Sequence, residues 1–138
     1  MMTIEELDRN ISDLQKEIDR LSSLKEELYN KNLESIRELG NNLVGKCFKI
    51  KCKDGVIKYI FASELVSVGA DWIDDTLEAS FKGMCITIKE DDSNYISIIK
   101  DENINVYECY LKAAEIVDAN NVLNLIKNKI EITLKKVL

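Results

Sequence analysis

Lys46, Lys49, Lys51, Lys53 and Lys58 stand against two acids between residues 41 and 70, in a 138-residue chain whose formal net charge is −6. The two-residue spacing of Lys49, Lys51 and Lys53 sends three ammonium groups to one face of an extended strand. Such a face can receive a phosphate-bearing small molecule, a nucleotide-type signal or nucleic acid. Lysines also keep the open edge of a sheet from pairing with another chain, so the same pattern has a purely structural meaning. Of the rings that could stack on a base, Trp72 and Phe81 fall outside the clean alternating runs and are the ones expected to face a pocket. The expected ligand-binding set is therefore Lys49, Lys51, Lys53, Trp72 and Phe81.

Other chemistry is sparse. The chain has no histidine, which excludes imidazole acid–base catalysis, His-based triads and His metal ligands. Cys47, Cys52, Cys85 and Cys109 form no CxxC, and an offset of five puts Cys47 and Cys52 on opposite faces of a strand. No zinc or other metal site is expected, and no cofactor. Asp71, Asp74, Asp75 and Glu78 surround Trp72, where paired carboxylates could hold a cation. No complementary acid, base or nucleophile accompanies them, and a solvated acidic loop is the simpler reading. The five glycines are isolated and form no phosphate cradle. An enzyme is not expected. Residues 71–110 carry three basic groups against ten acidic ones, a surface that could bind a basic protein or mimic DNA. No apolar run approaches the ~18 residues of a membrane span, and no basic-then-apolar leader opens the chain. With reduced thiols, these features describe a cytoplasmic chain with no membrane partner.

The element that dominates the first forty residues is a helix. Thr3 and Glu6 have capping-box spacing, and Gly40 followed by Asn41 and Asn42 supplies a terminator after Leu39. At ~1.5 Å per residue such a helix is roughly 55 Å long. Ile4, Ile11 and Ile18 fall at heptad position a; Leu7, Leu14, Leu21 and Leu28 fall at d. β-Branched a with leucine d favours a parallel two-stranded coiled coil. Lys25 and Asn32, the next a positions, are polar insertions that set register. The oligomerisation set is Ile4, Leu7, Ile11, Leu14, Ile18, Leu21 and Leu28, and the partner is a second copy, as a homodimer or higher oligomer. An intramolecular helical hairpin is the alternative.

Residues 41–138 read as a β-rich domain. Leu43 to Ala62 forms a hairpin about Asp54-Gly55, the dipeptide of a type I′ turn. Ser63 to Val68 extends it, Gly83 to Glu90 and Tyr95 to Lys100 make a second hairpin, and Asp101-Glu102-Asn103 turns the chain again into Ile104 to Tyr110. Residues 111–117 are mostly extended and end at Asp118, an N-cap. A final helix over 119–137 places Leu123, Ile126, Ile130, Leu134 and Val137 on one side. The fold class is α+β: a coiled-coil helix over 1–40, then over 41–138 an antiparallel meander of five or six strands, strongly bent or closed as a small open barrel, with a C-terminal amphipathic helix.

A heptad helix running into Asn42-Leu43-Val44-Gly45-Lys46-Cys47-Phe48-Lys49-Ile50, two hairpins, then Ala114-Glu115-Ile116-Val117-Asp118 and a terminal helix resembles small uncharacterised phage and prophage accessory proteins of Gram-positive bacteria. The shared signal is the short Leu-Val-Gly-Lys strand start and the helix pattern. The resemblance implies a non-catalytic accessory protein that counters host defence by binding. It would do so by sequestering a phosphorylated or nucleotide signal, or by blocking a host defence protein such as a nuclease. A purely structural oligomerisation module is the remaining alternative.

Overall fold

The structure, a computed structural model, describes residues 1–71, 75–89 and 92–138. It is α+β, with one long helix, a five-stranded antiparallel open sheet and a C-terminal helix. The chain divides into two compact units, Met1–Glu34 and Ser35–Leu138.

Helix α1 spans Ile4–Leu43. Its start is the expected capping box: Glu6 N–H donates to Thr3 Oγ1 and Thr3 N–H to a Glu6 carboxylate oxygen, both at 3.2 Å. Its end is not where the glycine pattern puts it. The helix runs through Gly40 to Leu43, and the left-handed residue beyond it is Gly45, at φ 80°. Gly40 serves a different need, because a Cβ there would lie 3.0 Å from Leu65 Cδ1. The final turns, with Ile36, Gly40 and Leu43 buried, belong to the second unit, which begins at Ser35 rather than after residue 40.

Strands β1 (Cys47–Lys51), β2 (Val56–Ala70), β3 (Leu77–Lys89) and β4 (Asp92–Tyr107) form a meander. A short β5 (Glu115–Val117) returns to the outer side of β1, giving the order β4-β3-β2-β1-β5. The β1–β2 connection is the turn its sequence asks for. Asp54 and Gly55 both have positive φ, 62° and 71°, and Val56 N–H donates to Lys53 O. The expected third turn at Asp101–Asn103 does not form. One extra residue of β4 is absorbed there as a bulge, between the pairs Phe81–Ile104 and Gly83–Asp101. Asn103 N–H bonds Asp101 Oδ1 at 3.1 Å, and Ser80 Oγ donates to Asn103 Oδ1 at 3.3 Å. Polar residues that would cap a turn instead satisfy the bulge, so two expected strands are one. The segment after it is not extended throughout either: α2 occupies Glu108–Lys112 and buries Leu111 before β5 begins.

Two further bulges lie in β2, between Ala62 and Glu64 and between Leu65 and Ser67. Ser63 Oγ donates to Lys82 O at 2.9 Å beside the first. Opposite them Gly83 approaches so closely that a Cβ would sit 1.9 Å from Phe61 O. With its ladders interrupted at this level, the sheet bends. β1 and β4 are three places apart in the sheet, yet Ile50, Ile60, Ile104 and Val106 line one hollow of about 120 Å³. Phe48 of β1 meets Phe81 of β3 with ring centroids 5.5 Å apart, and both are fully buried. The result is a bent open sheet, not a barrel.

Helix α3 (Ala119–Val137) starts at Asp118, whose side chain accepts Asn120 N–H at 2.8 Å. It covers the sheet's other face. Val122 and Ile126 join Cys47, Ile57, Tyr59, Ile86 and Ile88 in one core cluster, with Leu125 packed against it. The seam is thus one residue off the stripe expected from sequence. Ile126 is shared, whereas Leu123, Ile130, Leu134 and Val137 remain exposed.

Gly83→Ala is expected to lower the unfolding free energy by about 3 kcal/mol, since backbone rather than a movable side chain blocks the new methyl. Gly40→Ala should stay within about 1 kcal/mol of the parent, helix propensity offsetting a small shift of Leu65. Urea denaturation of both variants checks the contrast.

Candidate functional site

Two places among the described residues stand out as candidate sites: the uncovered stripe of α1 and a cavity where β1, β5 and α3 meet. On α1, Ile4, Leu7, Ile11, Leu14, Ile18, Leu21 and Leu28 are all between 47% and 78% exposed. Around them the helix is solvated, with Arg20 bound to Glu17 and Gln15 to Asp19 along its surface. Within Met1–Glu34 nothing covers the stripe.

The cavity begins with the register of β1. Lys49 is paired with Tyr59 on β2 and with Glu115 on β5, so the three side chains stand side by side on the face that α3 covers. Together with Asp118 and Asn121 they line a space of about 290 Å³ whose apolar wall includes Val122 and Leu125. Tyr59 is only 8% exposed. Its hydroxyl pKa is raised above the usual phenol value, first by burial and then by the neighbouring Cys47 thiol, so it stays a hydrogen-bond donor. Among the described residues Tyr59, Lys49 and Asn121 have no hydrogen-bond or ion-pair partner, and Lys49 and Glu115 make no ion pair despite facing each other.

The expected ligand set is not brought together. Lys49 is partly buried under α3 beside Glu115, and Lys51 is exposed at the end of β1. Lys53 has left the strand and lies in the exposed turn before β2. Lys58 pairs with Ile50 and lines the opposite face. Phe81 does not face a pocket: its ring is fully buried against Phe48, because β3 begins at Leu77, well before the expected Gly83. Trp72 and Asp74 lie outside the described residues. Of the acidic cluster, Asp71 accepts a hydrogen bond from the Tyr107 hydroxyl at 3.4 Å, and Asp75 adopts a left-handed φ of 57°. Among the described residues no group of three or more His, Cys, Asp or Glu gathers as cation ligands. No described helix is long and apolar enough to cross a membrane.

Sequence reasoning assigns Tyr59 to the core and passes over Glu115 and Asn121. Tyr59 sits in an apolar run that reads as core, and β5 is three residues long, too short for alternation to reveal that it returns to β1. Asp118 is legible only as a cap. No protein-family model, curated protein or solved structure matches the chain.

The cysteines differ in reach. Cys47 is buried and its thiol is pushed up to about 11 by that burial; burial also raises Cys85, opposed weakly by Thr87 and Lys58. At pH 8 a thiol with pKa 11 is ionised in only about one molecule in a thousand, and the thiolate is the reactive form. Iodoacetamide at pH 8 should therefore label exposed Cys109 first and leave Cys47 unmodified until the chain unfolds, as peptide mass mapping will read.

Proposed function

We propose that this chain is a non-catalytic binding protein that works as a parallel pair, α1 joining two copies and the β domain of each copy presenting the surface that binds. The observation that carries this reading is the uncovered α1 stripe. Seven isoleucines and leucines at strict a and d spacing are about half exposed or more along one helix. A soluble chain rarely leaves so long an apolar row in water. Each of these side chains contributes on the order of 1 kcal/mol when a partner helix covers it. Isoleucine at a with leucine at d selects two parallel strands, and Lys25 and Asn32 fix the register below them. The narrow two-in-seven stripe suits a coiled-coil seam better than the broader face of a packed bundle.

For the ligand, the phosphorylated or nucleotide signal suggested by the lysine spacing has less support. The lysines diverge, and Lys49 is set beside carboxylates. An anti-defence role for the assembly, by capturing such a signal or by blocking a host nuclease through the acidic residues 71–110, rests on the resemblance in layout to phage accessory proteins. A structural oligomerisation module would need α1 alone.

Ile11→Lys and Leu14→Lys each place a charge in the seam. Light scattering at several concentrations is expected to give twice the chain mass for the parent and the single-chain mass for both variants, with the circular-dichroism signal of the β domain retained. An unchanged mass in the variants, or a parent that is already a single chain, refutes the pairing.

A further inference from the structure

The geometry points to a binding site for a small zwitterion, an amine and a carboxylate carried together with an apolar substituent as in a free α-amino acid, in the cavity between β1, β5 and the start of α3. This inference does not depend on the pairing of α1.

Size is the first constraint. About 290 Å³ is at the small end of the ~300–1,000 Å³ range of ligand pockets, which suits a metabolite smaller than a nucleotide. Polar lining is the second. The lining holds three donors, Lys49, the Tyr59 hydroxyl and the Asn121 amide, all able to donate to a carboxylate. It also holds two acceptors, Glu115 and Asp118, with Asp118 using one oxygen to cap α3. One ammonium beside two carboxylates is a poor cradle for a phosphate dianion, whose second charge would meet Glu115. It matches a molecule that carries both signs at once. Val122 and Leu125 complete the wall and offer contact to an apolar side group.

The third observation separates this place from an ordinary surface dip. Tyr59 is more than nine-tenths buried, lines the cavity, and has no hydrogen-bond partner among the described residues. Among the described residues no buried polar side-chain atom is both inaccessible and unpartnered, so the Tyr59 oxygen keeps a slight exposure, and Tyr59 lines the cavity. The ring is buried while the hydroxyl is left open to the cavity, where it can donate to whatever enters. A ligand carboxylate accepts that hydrogen bond, and Lys49, the cross-strand neighbour of Tyr59, supplies the countercharge. Glu115, the other cross-strand neighbour of Lys49, has no ion-pair partner among the described residues and is available to take the amine.

The test is a titration of the full chain with L-leucine, followed by amide chemical shifts, alongside leucinamide, which lacks the carboxylate, N-acetyl-leucine, which lacks the amine, and inorganic phosphate. Leucine is expected to give saturable shifts centred on residues 115–122 and on Tyr59, and both analogues to bind at least about tenfold more weakly, as loss of a charge-assisted bond implies. Tyr59→Phe, which removes one atom, should weaken leucine about fivefold or more without shifting the melting temperature. Glu115→Gln, at an exposed position, should weaken leucine and leave N-acetyl-leucine unchanged. The inference is overturned by leucine shifts that do not saturate, by analogues that bind as well as leucine, by a preference for phosphate, or by indifference of leucine binding to both substitutions.

Discussion

The close approach of Gly83 to the Phe61 carbonyl is the constraint on which the β domain depends. A strand interior is a costly place for glycine, which loses more backbone freedom than other residues and brings no side chain to pack. Here the cost is offset because no other residue lets β2 and β3 pair at that distance. The bulges at Ser63, at Val66 and across Glu102–Asn103 lie at the same level of the sheet, concentrating its irregularity in one zone. From the bend follows the meeting of Phe48 with Phe81, and from that meeting a core that a flat five-stranded sheet of this size would lack.

The other face is built differently. α3 lies over Cys47, Ile57, Tyr59, Ile86 and Ile88, starting from a cap on Asp118 that fixes where the helix begins. Its first turns settle on the sheet, and the space left between its start and β5 is the cavity. Bend and cavity are thus properties of opposite faces. The same sheet gains its hydrophobic mass on the inside of the curve and a mixed-charge recess under α3.

Features with a strong local cause were readable in the sequence. The capping box at Thr3 and Glu6, the Asp54-Gly55 turn, the Asp118 cap and the central position of β2 each follow from a few adjacent residues. What misled was ambiguity between two uses of one residue type. Gly40 looks like a helix terminator and is instead a contact point for Leu65. Asp101-Glu102-Asn103 looks like a turn and is instead a bulge whose side chains bond the strand itself. For the candidate site, Lys49 was visible but its neighbours were not. Glu115 reaches it only through a three-residue strand from far along the chain, and no local periodicity announces such a pairing.

The paired bulges of β2 carry one more consequence, for the kinds of genetic change this chain can absorb. Side chains alternate between faces with a period of two, so one extra residue exchanges inside for outside and a second exchanges them back. Ser63 and Val66 are two such extra residues, and together they restore the parity of everything beyond them. An exchange of one amino acid for another along Glu64–Ala70 leaves that parity intact. Loss or gain of a single codon there would turn the far half of β2 over relative to its pairing with β3. Variation in this stretch is therefore expected to accumulate by replacement, while its length is held fixed.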